Sequence, residues 1–347
     1  EIWNYILDHD NGVTNFHFEI SADILTDEEI ELLGRMRPGL VQLEIGVQTT
    51  NYKTLSEIRR SADTAILEAA VERIRRGQNI HIHLDLIAGL PYEDYESFGN
   101  SFNRVYHMRP QQLQLGFLKV LKGSYMHEKA EAYGLVYQSR PPYEVLSTSW
   151  LSYGDILRLK QIEQMVELYY NSNQFTYTLR ALQRQFESPF SMFLQLAEFY
   201  RREGYVWNSP SRAYRYEILL AFAAEKDPVR SAFYRELLTF DMYLRENLKS
   251  RPVFAGDLQP FKETIRGFYR QEEEKRRYLP GYEAYDARQL SKMTHLEPFV
   301  FRVWEPEEES GEEQTGDIFY VLFDYKHRNA LTKEAGITVI SKEYKPI

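Results

Sequence analysis

No cysteine occurs among the 347 residues. Disulfides, thiolate zinc sites and thiolate nucleophiles are therefore excluded as properties of this chain. Nor does any apolar run approach the roughly 18 residues that a membrane-spanning helix requires. An initiating methionine is missing. The opening EIWNYILDHD already reads as helix rather than as a signal peptide, so a cytoplasmic piece of a longer protein is expected. An excess of positive charge is also lacking: 42 Lys and Arg stand against 51 Asp and Glu, a net charge of −9. That balance argues against a nucleic-acid partner held by phosphate contacts, and no membrane partner is expected. What the chain has in quantity is Tyr (26) and Phe (20), which predict a large aromatic core. Its length allows two domains, or one with an appendage.

Up to about residue 120 the sequence alternates strand-like and helix-like segments. FHFEI (16–20), LVQLEIGVQ (40–48), NIHIHLDLI (79–87) and QLQLGFLKVL (112–121) read as strands. Between them lie helical stretches. Thr26 with Glu29 forms a capping box ahead of DEEIELLGRMR, NYKTLSEIRR and ADTAILEAAVERIRRG follow, and Gly77 stands at the C-cap. Strands separated by helices imply parallel βαβ units. Residues 121–150 are a transition containing Gly123, Gly134 and a Pro141-Pro142-Tyr143 turn. Residues 151–275 show helical apolar spacing, with a helix start at Pro228. EPFVFRVW (297–304), DIFYVLFDY (317–325) and ITVIS (337–341) read as strands, and the acidic segment 305–316 as a hairpin loop. The expected division is a core over 1–130, a helical accessory region over 131–295 and a small β-containing element over 296–347.

The strand alternation sorts side chains onto two faces. One face is apolar, for example Leu43, Ile45, Leu84 and Leu86, and should pack on helices. The other carries His17 and Glu19, then Gln42, Glu44, Gly46 and Gln48, then His81, His83 and Asp85, then Gln112, Gln114 and Gly116. A closed barrel interior is normally filled by branched apolar residues. A polar one more naturally surrounds a ligand. An antiparallel sheet with one solvated face is the bland alternative.

Four blocks in order, FHFEIS, LEIGVQTTNYKTLSEIRR, HLDLIAGLPYEDYESF and LQLGFLKVLKGS, carry a family resemblance. Together they resemble the second half of the radical S-adenosylmethionine (radical SAM) core, as in oxygen-independent coproporphyrinogen oxidases and related cobalamin-dependent proteins. The PPYEVL stretch and helical tail resemble uncharacterised radical SAM, Fe–S oxidoreductase proteins of the cobalamin-binding type. The resemblance implies an α/β fold: strands three to six of a partial parallel (β/α) barrel, then a mostly helical region and a small C-terminal β element. It implies a parent enzyme that reductively cleaves S-adenosylmethionine to a 5′-deoxyadenosyl radical and acts on an unknown small-molecule or macromolecular substrate.

By the same resemblance Glu19, Gln48, Arg60 and Asp85 meet S-adenosylmethionine, and Gly89 and Pro91 shape a turn whose backbone approaches the adenine. The chemistry suits these residue types. Carboxylates accept from ribose hydroxyls, Arg60 can fork onto the methionine carboxylate, and Gln48 offers both donor and acceptor. Each has a plainer role open to it, as a cap, a surface charge or a solvated helix face. The family's 4Fe–4S cluster needs three cysteines, usually CxxxCxxC, and this chain has none. The cysteines and the family's glycine-rich motif are expected upstream of Glu1. Cobalamin use would need an upstream domain. The expectation is a truncated radical SAM enzyme, inactive by itself; the alternative is a non-catalytic binding or scaffold module without a cluster. A homodimer, or packing on an upstream domain, would cover an exposed sheet edge. His81 and His83 share a face with His17, which raises a metal-dependent hydrolase as a third reading. They are read instead as polar packing beneath the cofactor, with no metal site assigned and no catalytic residue identified.

Overall fold

The alternating segments form strands, and all four pair in parallel. A computed structural model describes residues 1–21, 24–60, 63–305 and 316–340. In chain order the elements are α1 (Ile2–Asp8), β1 (Phe16–Ile20), α2 (Asp27–Gly34), β2 (Val41–Gln48), α3 (Tyr52–Glu57), α4 (Thr64–Arg76), β3 (His81–Ala88), α5 (Tyr95–His107) and β4 (Gln112–Phe117). Next come α6 (Tyr125–Glu128), β5 (Val136–Tyr137), β6 (Val145–Ser147), α7 (Tyr153–Met165) and a π-helical turn (Val166–Asn171). The chain continues through α8 (Thr176–Gln183), α9 (Pro189–Arg202), α10 (Arg212–Lys226), α11 (Ser231–Arg245), α12 (Lys262–Lys275), α13 (Ala287–Met293), β7 (Thr294–Phe299), β8 (Phe319–Asp324) and β9 (Gly336–Ile340). The chain divides into two compact units: residues 1–173 with 186–203, and residues 174–185 with 204–347. No described helix is long and apolar enough to cross a membrane.

In the first unit the sheet order is β1-β2-β3-β4, parallel throughout. The fold is therefore α/β, and the antiparallel alternative falls away. Leu43, Ile45, Ile82, Leu84, Leu86 and Leu113 are wholly buried on the apolar face. Helices α4 and α5 contribute Val71, Phe98, Phe102 and Val105 to the core. Each such side chain stabilises the fold by about 1.5–3 kcal/mol. Thr26 and Glu29 form the expected capping box at the start of α2. Gly77 does cap α4, but in right-handed conformation; the positive φ falls on Gln78. The glycine makes room for Asn79, whose amide donates to Leu33 O and Met36 O.

The edge at β4 is partly closed. Leu113 N–H donates to Asn171 Oδ1 at 2.9 Å and Asn171 Nδ2 donates to Leu113 O at 3.0 Å, so one amide side chain in the π-helical turn stands in for a neighbouring strand. β1, at the other end, exposes His17 and Glu19.

In the second unit the antiparallel sheet β7-β8-β9 has two covered faces. Phe299 and Phe323 meet Phe240 of α11, and His295 stacks on Tyr243. Leu296, Leu322 and Ile340 join Phe268, Tyr269 and Leu290 from α12 and α13. β7 begins and ends earlier than the aromatic run 297–304 suggested. Glu236 accepts the N–H groups of Val300 and Phe301, which takes them out of any ladder and ends the strand at Phe299. Of the acidic segment read as a hairpin loop, residues 306–315 lie outside the described residues, as does Ser341.

Candidate functional site

Parallel register converts the polar face into cross-strand rows. His17, Gln42 and His81 form the row nearest the strand starts. Glu19, Glu44, His83 and Gln112 form the next. Gly46, Asp85 and Gln114 form the third. Along β2 the apolar side chains are buried and the polar ones half-buried without exception, so this face is open to a ligand while the other is sealed.

At the C-terminal end of β2 the ladder breaks register between Gly46 and Gln48, and Gln48 adopts φ +69°. A bulge of this kind re-aims a side chain, and a left-handed conformation in a residue other than glycine costs roughly 1–3 kcal/mol that the surroundings must offset. The result is that Gln48 folds back over Gly46. A Cβ at position 46 would overlap Gln48 Nε2 and come within 3.2 Å of Arg60 Nη1. Glycine at 46 thus brings Gln48 and Arg60 together, and register puts Asp85 directly beside it. Two buried oxygens here, Gln48 Oε1 and Asp85 Oδ1, have no hydrogen-bond partner among the described residues. Unspent acceptors in a buried position cost free energy unless something donates to them.

The other expected residues lie differently. Glu19 sits exposed on the edge strand, one row down and two strands away from Asp85. Gly89 (φ +93°) is turned toward the protein: a Cβ there would lie 2.7 Å from Val145 Cγ1. Pro91 is buried and its carbonyl accepts from Thr54 Oγ1 at 2.8 Å. Beside Arg60 an open groove of about 710 Å³ is lined by Tyr52, Leu55 and Arg59 among others.

A buried network beneath the site was not foreseen. Thr49 Oγ1 donates to Glu93 Oε1 at 2.5 Å and Ser101 Oγ donates to the same oxygen at 3.1 Å. Asn51 Nδ2 donates to Tyr92 O and Ser97 Oγ. These bonds tie the turn after β2 to the turn after β3, and so fix Gln48 relative to the Gly89-Leu90-Pro91 segment. Burial pushes the Glu93 carboxyl up to about 7, against the pull of the Thr49 and Ser101 hydroxyls. In the sequence Glu93 sits in an acidic-looking YED run beside a helix cap, and nothing there marks it as buried.

The histidines differ from one another. Burial, then repulsion from His83 and His17, holds His81 below its ordinary pKa. Burial also acts to lower His83, but the Asp85 and Glu44 carboxylates outweigh it and raise the pKa. His83 Nε2 lies 3.0 Å from Asp85 Oδ1, off the line of a well-formed hydrogen bond, so neither atom's bonding capacity is fully used. In the second unit, a cavity of about 220 Å³ is lined by Glu236, Arg251 and Glu297, but these groups are already committed. Arg251 forks onto Glu297 at 2.6 and 2.9 Å, and Glu236 holds backbone N–H groups.

The donor and acceptor types on the face are those the resemblance assigns to S-adenosylmethionine. The face offers a guanidinium, a carboxylate and an amide around a glycine, with orphaned acceptors among them. A 4Fe–4S cluster does not fit the residues present, because no thiolate is available.

A family model described as "Protein of unknown function (DUF4080)" matches residues 131–323. The oxygen-independent coproporphyrinogen III oxidase of Salmonella typhimurium is 30% identical over 107 residues, covering 29% of this chain and 23% of the oxidase. That of Escherichia coli is 29% identical over 107 residues with the same coverage. The chain thus spans about a quarter (23%) of the length of the curated relatives it matches. Among solved structures, the E. coli coproporphyrinogen III oxidase, described as a radical SAM enzyme, aligns at TM-score 0.35 and 20% identity over 45% of this chain and 33% of its own. A radical S-adenosylmethionine methyltransferase from Kitasatospora setae aligns at 0.30 and 12%, over 48% and 28%. Oxygen-independent coproporphyrinogen oxidases are also the proteins whose core the four blocks resemble.

Proposed function

The chain belongs to the family described as protein of unknown function, DUF4080, through residues 131–323, and we propose that the polar sheet face preceding that region is the S-adenosylmethionine-binding half of a radical SAM enzyme core. The observation that carries this reading is the arrangement around Gly46: Gln48 and Arg60 meet over it, Asp85 lies beside it, and Gln48 Oε1 and Asp85 Oδ1 are buried without donors. When bound, S-adenosylmethionine supplies the sulfonium whose reductive cleavage is the chemistry of radical SAM enzymes. This chain's residues would hold and orient it. Arg60 would pair with the methionine carboxylate, Asp85 would accept from ribose hydroxyls, and Gln48 would offer donor and acceptor to the sugar or amino-acid moiety. The apolar face and its helices keep water from beneath the strands. Glu19, Gly89 and Pro91 receive less support, since one is exposed on the edge strand and the others are committed to internal packing.

The chain holds no cysteine thiolate to ligate a 4Fe–4S cluster. The alternative reading is a binding module that keeps the face without the redox chemistry. The natural gene product separates the two: the enzyme reading predicts 5′-deoxyadenosine under anaerobic reducing conditions, and the module reading predicts none.

Both readings require binding, which calorimetric titration of this chain with S-adenosylmethionine tests. Saturable binding is expected, weakened about tenfold or more in Arg60→Ala and in Asp85→Asn, the scale of a lost charge-assisted hydrogen bond. No saturable binding, or equal affinity in both variants, would sink the assignment.

A further inference from the structure

We propose that His17, Glu44 and His83 form a site for one divalent transition-metal ion of the zinc class, on the same polar face but nearer the strand starts than Gly46. His17 lies in the first cross-strand row; Glu44 and His83 are paired in the second. One ligand atom from each residue lies within 4.8 Å of the other two. His17 Nε2 is 2.9 Å from Glu44 Oε2, and His83 Nδ1 is 3.8 Å from the same oxygen. A tetrahedral site with bonds of roughly 2.0–2.1 Å has ligand–ligand edges of about 3.3 Å. The two measured separations bracket that edge.

Polar packing alone accounts for this cluster less well. The 3.8 Å separation between His83 and Glu44 is too long for a hydrogen bond. The His83 side chain is only 6% exposed, so it meets little water. Asp85 lies at 3.0 Å from His83 Nε2. Nδ1 is the His83 nitrogen on the Glu44 side, and so the atom offered to an ion. His17, 52% exposed, is the solvent-facing member and the side from which an ion would enter. Three ligands leave a fourth position for water or a ligand.

Two imidazoles and a carboxylate suit zinc, cobalt or nickel better than magnesium or calcium, which prefer all-oxygen sites. The set also differs from the histidine trio suggested by the sequence. His81 precedes His83 by two residues on the same face, but register sets His81 against Gln42 and sets His83 against Glu44. The carboxylate replaces the third histidine.

Titration of the chain with Zn²⁺ in chelator-free buffer should show one equivalent bound. Co²⁺ should give the intense visible bands of a four-coordinate site. Glu44→Gln and His17→Ala should each weaken binding about tenfold or more, while His81→Gln stays within about twofold. Thermal unfolding without metal checks that the variants fold; His17 is exposed enough for its loss to be tolerated. No stoichiometric Zn²⁺, undiminished affinity in Glu44→Gln and His17→Ala, or an equal loss in His81→Gln would overturn the site. S-adenosylmethionine is absent from this assay, so its failure leaves the nucleoside-binding reading untouched.

Discussion

Glu93 shows how one side chain can hold two turns in register and impose a pH dependence. Its carboxyl is fully buried and bonded to Thr49 and Ser101, and burial raises its pKa from 4.5 to about 7. The folded state therefore holds a proton that the unfolded state releases between those values. Stability from this group is complete below the unfolded pKa and is lost as pH rises through the folded one. Glu93→Gln keeps an acceptor for both hydroxyls and removes the titration. At pH 8 the variant should be more stable than the parent by up to about 3 kcal/mol, with the difference vanishing near pH 4.5. Urea unfolding midpoints at the two pH values check this, and a pH-independent difference would contradict it. His83 and Gln48 belong to the same scale. The alternation marks both as polar-face residues, but the positive φ that turns Gln48 over Gly46 has no signature in VQTT.

At the scale of elements, the strands were legible because one face is uninterruptedly apolar and the other polar. FHFEI and the second strand are found within a residue of where the alternation put them, and the Thr26 capping box is in place. What tertiary contacts decide was not legible. Asn171 covering the β4 edge depends on a side chain 58 residues from its partner. The end of β7 depends on Glu236, 64 residues from Val300. Gly89 is the sharpest case. Its place in a GLP turn suggested a backbone free to approach a ligand, whereas it is the point where β3's exit packs on β6. Gly89→Ala should cost about 2–4 kcal/mol, from strained φ and the clash with Val145. Val145→Ala should relieve the clash alone, so the double variant should lose less than the sum of the two single losses. Additive losses by thermal unfolding would show that the close contact is not the cause.

For the whole molecule, the central claim is that a parallel sheet sealed on one face presents on the other a glycine-centred site for S-adenosylmethionine. The sheet and its polar face follow from sequence alternation; the identity of the ligand rests on the resemblance and on the orphaned acceptors together. The most direct measurement is a crystal structure of this chain grown with S-adenosylmethionine. The account predicts the nucleoside lying across Gly46, with its ribose on Asp85 and its carboxylate on Arg60. Clear density for the ligand elsewhere on the chain, with Gln48 and Arg60 still closed over Gly46, would contradict it.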